Sequence, residues 1–180
     1  LALGEIERAL YDDRSLVKQL AMRRTLFVFP RALLPAAWGS ASARVAVTER
    51  ARLAKELEKS AVTDDGAAWI AAASGAVLER LADGAGLTAA QLRAELPQLE
   101  GRSTPEGVKA WDVSTPFGPR VFTLLGAEGR LMRGLNSGHW RTSRPLWTTT
   151  ESWLGEAASH ASSAAGYAAL VGAYLARFGP

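Results

Sequence analysis

Gly84-Ala85-Gly86-Leu87-Thr88-Ala89-Ala90-Gln91-Leu92 stops one helix and starts another within a few residues. The two glycines release the backbone from helical geometry. Thr88 and Gln91 then stand at the spacing of a capping box, in which each side chain satisfies an orphan backbone donor of the new helix. Upstream, Thr63-Asp64-Asp65 supplies N-cap candidates for a helix over 66–81, with Trp69, Ala73, Val77 and Leu81 four apart on one side and Ile70 and Leu78 beside them. Downstream, Pro97 ends the second helix just after Leu96. A long helix, a tight glycine turn and a short capped helix is how a helix-turn-helix begins. The third helix is expected over 119–127, with Pro119 in its first turn, Val121, Phe122, Leu124 and Leu125 inside it and Gly129 as its stop. Leu131-Met132-Arg133-Gly134-Leu135, then Asn136-Ser137-Gly138, then His139-Trp140-Arg141-Thr142 reads as strand, turn, strand. Three helices followed by such a wing predict a winged helix.

Outward from this centre, the chain stays mainly α with short β-hairpins. Leu3, Ile6 and Leu10 predict a helix over 2–11, and Ser15 caps a second short helix containing Leu16, Val17 and Leu20. Thr25-Leu26-Phe27-Val28-Phe29 is β-branched and aromatic, ends at Pro30 and reads as a strand. Alternation sends Leu26 and Val28 one way, and these are expected to pack with Leu10, Leu16 and Leu20. Pro35 and Gly39 punctuate a short helix, and 43–59 forms an amphipathic one. The Thr-rich stretch 143–154 has no firm assignment. A terminal helix over 156–178 carries Tyr167, Leu170, Val171, Tyr174 and Leu175 on its apolar face. The expected organisation is a tandem winged-helix one. Residues 1–62 form a partial module with a connecting helix, 63–154 a winged-helix domain, and 155–180 a helix leading into a further module. The first residues and the terminal Phe178-Gly179-Pro180 read as an internal fragment of a longer protein.

Composition narrows the function classes. The 180 residues are 48% hydrophobic and 22% charged, which is the make-up of a folded protein rather than a disordered one. There are no cysteines, which removes disulfides and thiolate metal sites and suggests a reducing, cytoplasmic setting. Two histidines, His139 and His160, are too few for a histidine-rich metal centre, so no metal is expected, and no apolar run reaches the roughly 20 residues needed to cross a bilayer, so no membrane span is expected. Asp12-Asp13 and Asp64-Asp65 are paired carboxylates, but each lies next to an expected helix start, where capping explains acidic residues. Gly84-Ala85-Gly86 lacks the preceding strand of a dinucleotide fingerprint, and no Ser/His/Asp set or phosphate loop appears. No catalytic residue is assigned.

Charge points to nucleic acid instead. Arg102, Lys109, Arg120, Arg130, Arg133, Arg141 and Arg144 outweigh Glu106, Asp112 and Glu128 across the third helix and wing, although the net charge is only +3. Such a face is what phosphates bind. The expected DNA-contacting residues are Arg23, Arg24, Arg120, Arg130, Arg133, His139, Arg141 and Arg144. Duplex DNA is the expected partner, and the oligomeric state is left open. Trp38, Trp69 and Trp111 are expected in the core, while Trp140, Trp147 and Trp153 fit either a small hairpin core or a stacking surface.

Ala9-Leu10-Tyr11-Asp12-Asp13-Arg14-Ser15-Leu16-Val17-Lys18 and Met22-Arg23-Arg24-Thr25-Leu26-Phe27-Val28-Phe29-Pro30 resemble the N-terminal part of a bacterial winged-helix family. That family includes the DNA glycosylases acting on bulky alkylated bases and interstrand crosslinks. Gly138-His139-Trp140-Arg141-Thr142-Ser143-Arg144-Pro145-Leu146-Trp147 resembles its middle segment, and Tyr174-Leu175-Ala176-Arg177-Phe178-Gly179-Pro180 resembles a helix end leading into its next winged helix. The resemblance implies winged-helix modules in tandem that grip duplex DNA and excise an alkylated base without a metal or organic cofactor. In those enzymes a glutamine-hydrophobic-glutamine or -aspartate motif precedes the segment with which this chain begins. No such triplet occurs here, and Gln19, Gln91 and Gln98 stand alone. Two functions fit: a DNA-repair glycosylase, or a non-catalytic winged-helix regulator. A helical protein-contact scaffold is the third.

Overall fold

A computed structural model describes residues 2–103, 114–138 and 144–179. The expected strand His139-Trp140-Arg141-Thr142 and Trp111 lie outside the described residues.

The middle of the chain folds as its capping signals require. Helices α1 (Leu3–Glu7), α2 (Leu34–Ala37) and α3 (Ala43–Lys59) precede α4 (Gly66–Arg80), α5 (Ala89–Glu95) and α6 (Gly118–Ala127). The Asp65 carboxylate accepts the Ala68 N–H at 2.9 Å and starts α4. Thr88 Oγ1 accepts the Gln91 N–H at 3.2 Å while Gln91 Oε1 accepts the Thr88 N–H at 2.9 Å, completing the capping box of α5. Ile70, Ala73 and Val77 of α4 with Leu81 just after it, Leu92 of α5, Val121, Phe122, Leu124 and Leu125 of α6, and Leu53 and Leu57 of α3 are all buried in one core. Each large side chain taken from water there contributes about 1.5–3 kcal/mol. Gly39 does not break the chain: helical turns run on from α2 through residues 38–42 into α3.

The start of the chain departs from expectation. α1 runs on in π-helical turns to Asp12, so Asp12-Asp13 close a helix rather than open one, and Asp13 pairs with Arg8 at 3.8 Å. The segment after Ser15 is not a helix but strand β1 (Leu16–Leu20), antiparallel to β2 (Leu26–Pro30). A lone β2 would leave its backbone unpaired, and β1 supplies the partner. The register sets Val17 against Phe29 and Gln19 against Phe27 on the inner face. Lys18 faces Val28, and Leu20 faces Leu26, on the outer one. Leu26 and Val28 are therefore 39% and 53% exposed, which reverses the expected faces. Val17 and Phe29 pack instead with Leu34, Trp38, Met132 and Leu154 in a second core.

Strand β3 (Leu131–Asn136) follows α6 as expected and pairs antiparallel with β4 (Pro145–Thr149). The junction is tight. Gly129 has φ +72°, and a Cβ there would come within 2.8 Å of the Trp38 ring. The Thr-rich stretch resolves into β4 and α7 (Thr150–Leu154), capped by Thr149. The terminal helix is shorter than expected: Gly155 at φ +75° ends α7, and α8 (Ser163–Phe178) begins only where Ser162 caps it. Its packed side is Gly166, close against Ala36 and Ser40, while Tyr167, Val171, Tyr174 and Leu175 are exposed. The expected apolar face is thus uncovered here. Among the described residues no helix is long and apolar enough to cross a membrane.

Candidate nucleic-acid interface

The outer face of the first hairpin, the N-terminal part of α5, one side of α6 and the second hairpin enclose a cleft of about 670 Å³. Each wall follows from a local rule. Strand alternation that buries Val17 and Gln19 turns Lys18, Leu20 and Leu26 outward to form one wall. The capping box of α5 holds Thr88, and one turn later Arg93, at a second. Arg133, Ser137, Arg144 and Trp147 come from β3, β4 and their connection. Phe122 and Thr123 of α6 complete the lining.

The cleft is cationic. Lys18, Arg93, Arg133 and Arg144 line it, and none of the lining residues is an aspartate or glutamate. Like charges gathered in a low-dielectric concavity raise the local potential for an anion. Its apolar floor includes Phe122 and Trp147, whose ring centroids are 5.6 Å apart. Arg133 lies directly across the strands from Trp147, with its guanidinium carbon 5.1 Å from the ring centroid. A cation over the ring face at this distance contributes about 0.5–1 kcal/mol. Burial also pushes the Arg133 pKa down from its ordinary value, although arginine stays charged. Lys18 donates to the Tyr11 hydroxyl at 2.5 Å.

Gln19 braces the wall from behind. Its amide nitrogen lies 2.9 Å from the carbonyl oxygens of both Leu20 and Gly126, and its oxygen accepts the Trp38 indole N–H at 2.9 Å. A buried amide with both ends engaged ties β1 to α6 and to the helical turn at Trp38.

Of the expected DNA-contacting residues, Arg133 and Arg144 meet in the cleft. Arg23 and Arg24 sit in the turn between β1 and β2, where they share a separate groove with Arg44, Glu49 and Tyr167. Arg24 pairs with Glu49 at 3.4 Å. Arg120 is half-buried and paired with Glu56, so its charge joins α6 to α3. Arg130 is exposed between α6 and β3 and does not line the cleft. His139 and Arg141 lie outside the described residues. Lys18 and Arg93 belong to the cleft although the charge pattern does not single them out, Lys18 because the spacing of Leu16, Val17 and Leu20 fits a helix as well as the strand observed. Reading 16–20 with a period of two would have placed Lys18 beside Leu20.

Comparison with known proteins agrees with this architecture. A search of curated proteins returned no match. Among solved structures, the DNA glycosylase AlkZ of Streptomyces sahachiroi superposes on 98% of this chain with a TM-score of 0.61 at 19% sequence identity. At that identity the likeness is one of fold, and the match spans 43% of the AlkZ chain. The family model described as DNA glycosylase AlkZ-like matches residues 2–180. By that match over nearly its whole length, the chain belongs to the AlkZ-like DNA glycosylase family.

Proposed function

We propose that this chain is the DNA-holding part of a DNA-repair glycosylase-like protein acting on bulky alkylated bases or crosslinks, and that duplex DNA docks over the cationic cleft. The carrying observation is the convergence of Lys18, Arg93, Arg133 and Arg144 from both hairpins and α5 around one concavity with no lining carboxylate. Phosphates are the anions a DNA-handling protein meets in regular array, and cations so placed position a duplex without reading its bases. Membership of a DNA glycosylase family supports DNA as the ligand, and the bulky alkylated base or crosslink is what the resemblance of its sequence runs implies. We read α4, α5, α6 and β3–β4 as a winged helix. The order of elements supports this, as does the backbone bridge between Leu87 and Trp147, which ties the turn ahead of α5 to the hairpin. Arg23 and Arg24, at the tip of the hairpin that walls the cleft, form a second phosphate-binding group in this reading.

The test is fluorescence anisotropy of the wild-type chain against two unrelated duplexes over a salt series. Comparable affinities that fall linearly on log–log axes are expected, with about 0.9 unit of slope per phosphate contact. Absent binding, or binding indifferent to salt, would remove DNA as the ligand of the cleft.

A further inference from the structure

Arg24, Arg31, Arg50, Arg52, Arg80 and Arg120 each have a carboxylate partner. Arg133 is half-buried in the cleft wall, and among the described residues no carboxylate pairs with it. Its visible support is the Trp147 ring. A desolvated cation without a counter-charge is costly to keep, and an anion entering the cleft would relieve that cost. The Ser137 hydroxyl lines the same cleft and can donate to an anion's remaining oxygens, whereas the Thr123 hydroxyl already donates to the Pro119 carbonyl at 3.1 Å, and Lys18, Arg93 and Arg144 bring further positive charge to the cleft.

We infer that Arg133, set over the Trp147 ring, anchors a phosphate subsite in the cleft, and that one backbone phosphate of the docked DNA occupies it. The inference rests on the DNA reading of the cleft and adds to it a named anchor. A guanidinium presents a planar fork that matches two phosphate oxygens, which a lysine does not. Contact with the Trp147 ring and partial burial restrain the side chain before the ligand arrives, so less freedom is lost on binding. Lys18, whose ammonium donates to the Tyr11 hydroxyl, and Arg93, whose Nε donates to the Ala89 carbonyl at 3.3 Å, have part of their donor capacity engaged and add charge to the cleft.

The test compares wild type, Arg133→Met and Arg133→Lys in two arms. In the first, Tm is measured with inorganic phosphate replacing chloride at constant ionic strength. Phosphate should raise the wild-type Tm and leave that of Arg133→Met unmoved. Without phosphate, the Met variant should be no less stable than wild type, because it removes an unpaired desolvated charge and keeps an apolar stem on Trp147. In the second arm, the log–log salt slope for two unrelated duplexes should be shallower by about 0.9 in Arg133→Met, with equal loss on both. Arg133→Lys should keep the slope but bind more weakly. A lower Tm for Arg133→Met with slope and phosphate response intact would make Arg133 a packing residue and overturn the subsite. Salt-dependent duplex binding untouched by Arg133→Met would overturn the subsite alone. A phosphate response lost in Arg133→Met, in a protein that binds no duplex, would keep the subsite for a free phosphate and overturn its assignment to DNA.

Discussion

Arg23 and Arg24 take φ values of 55° and 58° at the tip of the β1–β2 hairpin. For a residue with a Cβ the left-handed region costs about 1–2 kcal/mol, so turns of this shape are usually built from glycine or asparagine. Met22-Arg23-Arg24 offers neither, and that is why the hairpin was illegible: without turn chemistry, Leu16, Val17 and Leu20 fit a helix as well as a strand. Strained backbone held by two exposed arginines is what a ligand-contacting tip would retain. Arg23→Gly should therefore raise stability by about 1 kcal/mol, or about 2–4 °C in a thermal melt, while weakening duplex affinity. A lower Tm would show that Arg23 contributes packing rather than strain. The charge count fails at this scale for a related reason. It cannot distinguish a free arginine from one spent on structure, and Arg120 is spent on Glu56. Burial pushes the Glu56 carboxyl up, but hydrogen bonds from Arg52 and Arg120 and their charges outweigh this and hold it below the usual range.

Elements were legible where local signals were redundant. α4, α5 and α6 each combined a capping or proline start with apolar spacing, α3 showed an amphipathic pattern, and the observed bounds follow those signals closely. The first hairpin had neither a turn signal nor clean alternation, because its inner face carries Gln19, a polar residue that satisfies itself internally. The consequence is measurable. Val17 is 3% exposed on the inner face and Val28 is 53% exposed on the outer. Val17→Ala should cost about 2 kcal/mol in denaturant unfolding, whereas Val28→Ser should stay within about 0.5 kcal/mol. Equal losses would mean that the hairpin faces are assigned wrongly. α8 was foreseen as a helix but not its late start, which Gly155 and the Ser162 cap impose.

At the scale of the molecule, folding assembles a charge pattern that no segment contains. Lys18 and Arg93 lie outside the basic stretch from Arg102 to Arg144, and the docking of β1–β2 and α5 against α6 and β3–β4 sets them beside Arg133 and Arg144. The family could be read from short runs along the chain because those runs are local. The cleft could not, because it depends on strand register and on which cations are already paired. The account stands or falls on whether these charges hold DNA together. The most direct measurement is the salt dependence of duplex affinity for a variant carrying Lys18→Met, Arg93→Met and Arg144→Met, against a control in which Arg80→Met and Arg102→Met remove charges outside the cleft. The cleft variant should lose close to 3 units of log–log slope, equally on two unrelated duplexes, and the control essentially none. An unchanged slope in the cleft variant, or the same loss in the control, would contradict the assignment of the cleft as the DNA-holding surface.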